Sequence, residues 1–235
     1  MLTSFQNNSV AIVIGSTGGI GAAVLAQLQA DAQFARAIGL SRSTDPALNL
    51  LDEASIKAAA QYITSLALPV GLVVDATGML HGDGMQPEKS WQQLDAAQMA
   101  QAFAINAIGP ALLMKHFLPL LPKSGKAVFA SLSAKVGSIG DNRLGGWYSY
   151  RASKAALNQL VHTAAIELRR RAPEAICVAL HPGTVASALS SPFAKTGLEV
   201  QTPAESAAKL LAVVDRLTAA DSGGFFSHDG STLPW

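Results

Sequence analysis

The fold is decided by one stretch near the amino terminus, Val10-Ala11-Ile12-Val13-Ile14-Gly15-Ser16-Thr17-Gly18-Gly19-Ile20-Gly21. Its first five residues form an uninterrupted apolar run, which is typical of a strand covered on both faces. The glycines let the backbone turn tightly and approach a pyrophosphate, and the helix that follows offers an amino terminus that attracts anions. A glycine cluster between a strand and a helix predicts a phosphate-binding loop. The residues expected to contact the phosphates are Gly15, Ser16, Thr17, Gly19, Ile20 and Gly21.

Outward from this stretch, short apolar runs alternate with longer helical patterns. Strands are predicted at Val10–Ile14, Ala37–Leu40, Gly71–Val74, Ala127–Leu132 and Ile176–Leu180, with Gly224–Phe226 as a last edge. Helices are predicted at Gly19–Gln29, Glu53–Leu66, Ala96–Leu121, Tyr150–Arg171 and Ala204–Leu217. This alternation predicts a doubly wound α/β fold, in which helices cover both faces of a parallel sheet. Because the chain has no internal repeat or long linker, residues 1–235 are predicted to form a single domain.

The composition argues against several classes of protein. Charged residues make up 14% of the chain and hydrophobic residues 49%, so a sizeable core is expected and global disorder is excluded. A net charge of +1 without a basic block is not the pattern of a nucleic-acid-binding protein. The uncharged stretch Ala96–Met114 contains two glutamines, an asparagine, a glycine and a proline, which argue against a membrane span.

Cysteine and histidine usage predicts neither a disulfide nor a metal site. Cys177 is the single cysteine of the chain, and its place in the apolar run Ile176–Leu180 favours a small buried side chain in a reduced cytoplasm. The five histidines show no metal-ligand spacing, and neither Cys-x-x-Cys nor His-Glu-x-x-His occurs. We therefore expect a cytoplasmic protein without a metal.

The end of the second predicted strand indicates the type of dinucleotide. An acidic residue there would bind the ribose 2′-hydroxyl of NAD(H), whereas a basic residue suits the 2′-phosphate of NADP(H). The sequence is Leu40-Ser41-Arg42-Ser43, without Asp or Glu. Arg42 therefore favours NADP(H) over NAD(H), although an ordinary solvated arginine would fit the same sequence.

Tyr150 and Lys154 are the strongest candidates for catalysis. They are four residues apart and therefore share one face of a helix. A nearby ammonium favours the phenolate and is expected to lower the pKa of the tyrosine. Such a tyrosine can donate a proton to a carbonyl oxygen during hydride transfer. The pair follows a strand that ends in Ser131-Leu132-Ser133, which makes the pattern more specific.

Several motifs in this order make the chain resemble the short-chain dehydrogenase/reductase family. They are Gly15-x-x-x-Gly19-Ile20-Gly21, Asn106 in the middle helix, the serines of the fourth strand, Tyr150-x-x-x-Lys154 and Pro182-Gly183-Thr184-Val185. The resemblance covers nearly the whole chain and implies a Rossmann fold of the compact branch. The stretch Ser138–Arg151 and the closing Pro234-Trp235 are similar to C-factor and Sniffer-type carbonyl reductases.

The resemblance also implies a role for each matched residue. Tyr150 would be the catalytic acid and base, Lys154 would lower its pKa and bind the nicotinamide ribose, and Asn106 would anchor a water in a proton relay. A serine would hydrogen-bond the carbonyl. The other cofactor contacts implied are Asn49, Leu50, Thr77, Gly78, Tyr150 itself, Pro182, Gly183, Thr184 and Val185.

The catalytic serine departs from the family pattern. Counting back from Gly137 places the usual position on Ala134. Along the strand, Ser131 and Ser133 share one face, so either hydroxyl is a candidate, and Ser133 is preferred.

Two further positions differ from the family. The usual Asn-Asn-Ala-Gly is Asp75-Ala76-Thr77-Gly78, in which Gly78 still permits close approach of the cofactor and Asp75 is expected to brace the sheet. The aspartate that usually caps the adenine is Asn49, whose amide can still donate and accept hydrogen bonds.

Together these features predict an NADP(H)-dependent carbonyl reductase that acts on a small-molecule carbonyl or alcohol. The alternative is an NADP(H)-binding sensor or signalling protein with weak or vestigial activity. The segment Ser187–Gly197, with Leu189, Pro192 and Phe193, is expected to form an apolar lid over the substrate. The apolar Ala96–Met114 helix is expected to pack against another copy of the chain, giving a homodimer or homotetramer.

Overall fold

Six parallel strands form one sheet in a computed structural model that describes residues 2–82, 84–187 and 200–235. The strands lie in the order β2-β1-β3-β4-β5-β6, and all neighbouring strands are parallel. Their bounds are β1 Ser9–Ile14, β2 Phe34–Leu40, β3 Val70–Asp75, β4 Ala127–Leu132, β5 Ala175–His181 and β6 Phe225–Ser227. This arrangement confirms the predicted doubly wound parallel sheet.

The order of the strands reverses between β1 and β3. From β1 the chain moves to β2 on one side, and it then crosses to β3 on the other side of β1. In open parallel sheets, ligands bind outside the carboxyl ends of the strands at such a reversal. The loops after Ile14, Leu40 and Asp75 therefore border the expected crevice.

Helices cover both faces of the sheet. Ile12 packs in one apolar cluster with Leu157, and Val13 packs in a second cluster with Val24 and Leu210. Because alternate strand residues enter different clusters, the central strands are mainly apolar on both faces, as predicted, with Asp75 and Ser131 as polar residues near their carboxyl ends. The helices are α1 Gly19–Ala30, α2 Glu53–Ser65, α3 Ala96–Phe103, α4 Gly109–Phe117, α5 Tyr148–Arg171 and α6 Pro203–Arg216.

Among the strands, β2 differs most from its predicted bounds. The prediction starts this strand at Ala37, whereas it begins at Phe34 and includes the exposed Arg36. β2 lies at the edge of the sheet, where the strand has a neighbour on one side only and where charged side chains are common. An uninterrupted run of apolar residues therefore identifies only part of an edge strand and misses the end that contains exposed residues.

The long middle helix is divided at Asn106. The predicted helix Ala96–Leu121 consists of α3, a π-helical turn at Ala104–Ile108 and α4. Such π-helical turns are frequent at functional sites. By length and composition alone, the run Ala96–Leu120 could cross a membrane. Core helices of other proteins share this property, and 39% of the most apolar 18 residues of the run are buried.

Candidate functional site

The glycine-rich turn after β1 shapes one half of the site. Gly15 has a φ of +78°, and its N–H donates to the carbonyl of Leu40 at the end of β2 (2.9 Å). A Cβ on Gly21 would overlap the Gly15 carbonyl oxygen, so the close packing of α1 on this loop requires glycine. No side chain within the described residues caps α1 at Gly18. The first N–H groups of α1 and the loop backbone therefore fit a pyrophosphate. The other predicted contacts, Ser16, Thr17, Gly19 and Ile20, lie in the same turn and the start of the helix.

Arg42 lies beside this turn. It follows β2 by two residues, and its side chain is exposed. Both Gly15 and Ser16 donate their N–H groups to the carbonyl of Leu40, which places the end of β2 against the phosphate loop. A cation at this position fits a 2′-phosphate.

Asn49, the predicted adenine contact, and Leu50, a further predicted cofactor contact, lie between β2 and α2. Asn49 Oδ1 accepts from the N–H of Leu51 (3.1 Å), so the side chain stabilises its own turn. Leu50 packs on Gly109 at the start of α4, where a Cβ would lie 2.8 Å from the Leu50 Cβ. The loop is thus fixed by both residues, and their contact with an adenine stays a prediction.

The segment after β3 joins the phosphate loop to the Tyr150 side of the site. A Cβ on Gly15 would lie 3.1 Å from backbone atoms of Ala76, so the two segments are in close contact. Thr77 donates its N–H (3.1 Å) and its hydroxyl (2.5 Å) to Asp75 Oδ1. A Cβ on Gly78 would lie 3.4 Å from Lys154 Nζ. Asp75 therefore fixes this segment, and Gly78 leaves space beside the lysine.

Asn106 is fully buried in the π-helical turn and hydrogen-bonds the backbone of the residue that follows Gly78. Its Oδ1 accepts from the N–H of Met79 (2.8 Å), while Nδ2 donates to the Met79 carbonyl (2.8 Å) and to Ser153 Oγ (3.1 Å). The side chain therefore connects the loop after β3, the middle helix and α5. Its role in holding a water stays a prediction.

Tyr150 and Lys154 lie one turn apart on α5, as predicted. The buried Lys154 Nζ donates to the carbonyl of Leu132 at the end of β4 (2.8 Å). Burial lowers the pKa of Lys154 to about 8, which the charge of Asp75 opposes, and burial raises the pKa of Tyr150 to about 12. The expected lowering of the Tyr150 pKa is therefore wrong for this arrangement, because removal of the phenol from water dominates and the ammonium binds Leu132.

Both candidate serines are buried and donate to other side chains. Ser131 Oγ donates to Asp75 Oδ2 (3.0 Å), and Ser133 Oγ donates to Asn158 Oδ1 on α5 (2.6 Å). Each hydroxyl hydrogen is therefore engaged within the protein, and Ala134 has no hydroxyl. The catalytic role of Ser133 stays a prediction, and the structure shows that this residue also ties β4 to α5.

The loop after β5 contains the cofactor contacts that the resemblance implies at residues 182–185. The carbonyl of Pro182 accepts from a serine hydroxyl of α6 (2.9 Å), and Gly183 has a φ of +81°. Gln201 donates its N–H to the carbonyl of Thr184 (2.9 Å) and pairs with Val185 in a parallel bridge. These bonds fix the loop at the carboxyl end of β5, next to β4 and Leu132. The residues of the predicted lid, Leu189, Pro192 and Phe193, lie outside the described residues.

Trp147 and Glu88 shape the start of α5, and the sequence prediction missed both. Trp147 has a φ of +54°, which is rare for a bulky residue, and its ring lies edge-on to that of Tyr150 with centroids 6.3 Å apart. The buried Glu88 accepts the Trp147 N–H through its carbonyl (2.5 Å) and the Ser149 N–H through its carboxylate (3.2 Å). These contacts fix the first turn of the helix, and with it Tyr150.

Arg151 connects the loops that precede α5 to the first turn of this helix. Its guanidinium donates to the carbonyls of Val136 (3.1 Å), Gly145 (3.2 Å) and Gly146 (2.9 Å). Gly145 and Gly146 both have positive φ values, so this tight connection needs glycine. The pair of glycines in the sequence indicates such a turn, whereas no feature of the sequence indicates the contacts of Arg151.

A family model and three known proteins are similar to the chain. The family model described as Enoyl-(Acyl carrier protein) reductase matches residues 19–232. The C-signal of Myxococcus xanthus is 38% identical over 144 residues, which cover 60% of this chain and 81% of that protein. The 1-hydroxy-2-glutathionyl-2-methyl-3-butene dehydrogenase of Rhodococcus sp. is 29% identical over 236 residues, with 97% of this chain and 100% of that protein covered. The structure of the NADPH-bound carbonyl reductase from chicken fatty liver is 27% identical, with a TM-score of 0.84 and coverage of 98% of this chain and 95% of that chain.

Proposed function

The chain belongs to the short-chain dehydrogenase/reductase family of oxidoreductases, and we propose that it is an NADP(H)-dependent carbonyl reductase with Tyr150 as the proton donor. One observation carries the proposal. Lys154, one turn after Tyr150, extends to Leu132 at the carboxyl end of β4 and lies beside Gly78, at the edge of the sheet where the phosphate loop also lies. The candidate proton donor, the cation and the glycine-rich loop therefore lie at the same edge of the sheet, which supports a single site for cofactor and substrate.

When bound, the cofactor supplies a hydride to the carbonyl carbon of the substrate. The hydroxyl of Tyr150 donates its proton to the carbonyl oxygen as negative charge develops there, and the phenolate regains a proton from water. A protonated Lys154 stabilises the phenolate in the interval. Tyr150 is protonated at neutral pH, as a proton donor must be, and burial raises its pKa further, to about 12.

The preference for NADP(H) is supported by the surroundings of the phosphate loop. Arg42 is exposed at the end of β2, and the sequence has no acidic residue at this strand end. The similar carbonyl reductase from chicken fatty liver binds NADPH. A 2′-phosphate held by Arg42 would lie next to the pyrophosphate loop.

Oxidation of NADPH by purified protein with a panel of aldehydes, ketones and quinones tests the proposal. We expect turnover of at least one substrate class, loss of that turnover in Tyr150→Phe, and retention in the control variant Tyr148→Phe. Tyr148 lies on the same helix but has Ala152, not a lysine, four residues later. Full activity in Tyr150→Phe, or no turnover of any compound by the unmodified protein, would contradict the proposal.

An NADP(H)-binding sensor with vestigial chemistry is a second candidate. It is favoured by the serines, because Ser131 and Ser133 donate to Asp75 and Asn158, and Ala134 stands at the usual catalytic position. Tight binding of NADPH in calorimetry without any turnover would support a sensor. Reduction that depends on Tyr150 would dismiss it.

We also propose that the protein forms a homodimer or homotetramer in the cytoplasm through its middle helix and α5. Ile108, just before α4, and Ile166 on α5 are 54% and 49% exposed. Exposed large aliphatic side chains on neighbouring helices are typical of surfaces that a partner covers. Light scattering should give the mass of a dimer or tetramer that Ile166→Glu reduces, and a monomeric mass at micromolar concentration would contradict this.

A further inference from the structure

Asp75 is a buried carboxylate at the carboxyl end of β3. It is 1% exposed, and both of its oxygens accept hydrogen bonds, Oδ1 from the N–H and hydroxyl of Thr77 and Oδ2 from the hydroxyl of Ser131. Burial is the largest influence and raises the pKa of Asp75 above its ordinary value, while the hydrogen bonds from Thr77 and Ser131 and the charge of Lys154 oppose this rise. Three donors around one carboxyl group stabilise its ionised form against the cost of burial.

Asp75 and Lys154 bind consecutive residues of β4. Asp75 is paired in register with Ser131 and accepts its hydroxyl, whereas Lys154 Nζ donates to the carbonyl of Leu132. Lys154 is 2% exposed, and within the described residues it has no carboxylate at ion-pair distance. Asp75 and Lys154 therefore do not contact each other directly, but both lie at the carboxyl end of β4.

The electrostatic surroundings of Lys154 otherwise favour its neutral form. Removal of an ammonium from water is costly unless an opposite charge is near. Among the described residues, Asp75 is the charged group whose field favours the ammonium, while Asn106 and Ser153 next to it are neutral and Tyr150 is protonated at neutral pH. The charge of Lys154 therefore depends on a single carboxylate.

We propose that Asp75 is an electrostatic positioning residue, whose carboxylate keeps Lys154 in its ammonium form inside the buried site. The asparagine that the family usually has at this position would retain one acceptor oxygen and lack the charge. The role rests on the proposed function, in which a cationic Lys154 stabilises the phenolate of Tyr150. In this chain, part of the charge that supports catalysis is thus supplied from β3.

Asp75→Asn tests the charge with little change of shape. The amine of Lys154 is titrated by NMR in protein labelled with ¹³C,¹⁵N-lysine, and its resonance is assigned by Lys154→Arg. The wild-type midpoint is expected at about 8. In Asp75→Asn it should fall by about one pH unit, since an opposite charge nearby shifts a pKa by this order. The alkaline limb of the pH profile of kcat should move with it.

Glu88→Gln is the matched control. It removes the charge of a second buried carboxylate near α5, which binds Ser149 and does not act on Lys154. The Lys154 midpoint should be unchanged in this variant. An unchanged midpoint in Asp75→Asn, or an equal shift in both variants, would overturn the proposal.

A titration of Asp75 itself decides the question if Asp75→Asn does not fold. A side-chain carboxyl resonance that shows ionised Asp75 at pH values around 7 upholds the proposal, and a protonated carboxyl there overturns it. Both titrations use protein without substrate. The titrations therefore give the ionisation state of Asp75 even if the protein reduces no carbonyl compound. Failure of the proposed function is detected separately, by the absence of NADPH oxidation.

Discussion

The two halves of the candidate site are built from different parts of the chain. The phosphate half, Gly15–Gly21, is shaped by backbone, through a positive φ and the amino terminus of α1. The half around Tyr150 and Lys154 is shaped by buried side chains from β3, β4, the middle helix and α5. Substitutions should therefore damage the first half through steric overlap and the second half through lost protons and charges.

Tyr150→Phe should have the largest effect, and it should be confined to the second half. The substitution removes only the proton-donating oxygen, so kcat should fall by about 10²- to 10⁴-fold. The affinity for NADPH, measured by fluorescence titration, should change by less than about threefold, because the phosphate loop is untouched. A large loss of affinity with little change in kcat would reverse the assignment of the two halves.

Acid should destabilise the protein at the carboxyl end of β5, the strand next to β4 of the second half. Burial and the neighbouring His228 lower the pKa of His181, the last residue of β5, to about 4, below the usual value of 6.5. Between these values the unfolded chain binds more protons than the folded one, so stability present above pH 6.5 is lost as the pH falls towards 4. His181 contributes about 3 kcal/mol to this loss across that range, and His181→Gln should remove the contribution in urea titrations. Parallel acid limbs for the two proteins would contradict the assignment.

Gly21→Ala should break the phosphate half. Its Cβ would overlap the carbonyl oxygen of Gly15, so we expect a loss of about 1–3 kcal/mol in the free energy of unfolding and weaker binding of NADPH. Gly18→Ala is the control, because its Cβ would lie 3.4 Å from the same oxygen. Urea unfolding and NADPH titration of both variants measure the difference. Equal effects of the two substitutions would show that packing against Gly15 is not the cause.

Arg42→Ala should have the smallest effect and separate the two dinucleotides. Loss of a charged contact with a 2′-phosphate should weaken NADPH binding by about tenfold or more. The affinity for NADH, which lacks that phosphate, should be unchanged. Calorimetry with both dinucleotides measures this, and a parallel loss for NADH would show that Arg42 supports the loop instead of the phosphate.

The difference between the two halves of the site also explains which features could be predicted from the sequence. The strand, glycine turn and helix of the phosphate half are consecutive, so local patterns of apolar residues and glycines were enough to place them. The parallel sheet with helices on both faces followed from the alternation of strands and helices, whereas the order of the strands was not predicted. The boundary of β2 was missed because an edge strand accepts exposed residues such as Arg36. Asn106 was identified by its place in the middle helix, while its π-helical turn was not predicted.

The second half depends on pairs that are distant in the sequence. Asn106 binds Met79, 27 residues away, and Ser131 binds Asp75, 56 residues away, and no local pattern reveals such pairs. Glu88 was missed for the same reason, since its partner Ser149 lies 61 residues further along the chain. The pKa of Tyr150 was predicted in the wrong direction, because its spacing from Lys154 was visible but its burial was not.

Transfer of deuterium from the cofactor to the product tests the central claim most directly. NADPH is labelled with deuterium at C4 of the nicotinamide, on either face in separate experiments, and the alcohol formed is analysed by mass spectrometry. Hydride transfer predicts deuterium on the former carbonyl carbon for one of the two labels, at a rate that Tyr150→Phe greatly reduces. An alcohol without deuterium from either label, or labelled product formed equally fast by Tyr150→Phe, would contradict the assignment of this site as a Tyr150-dependent reductase.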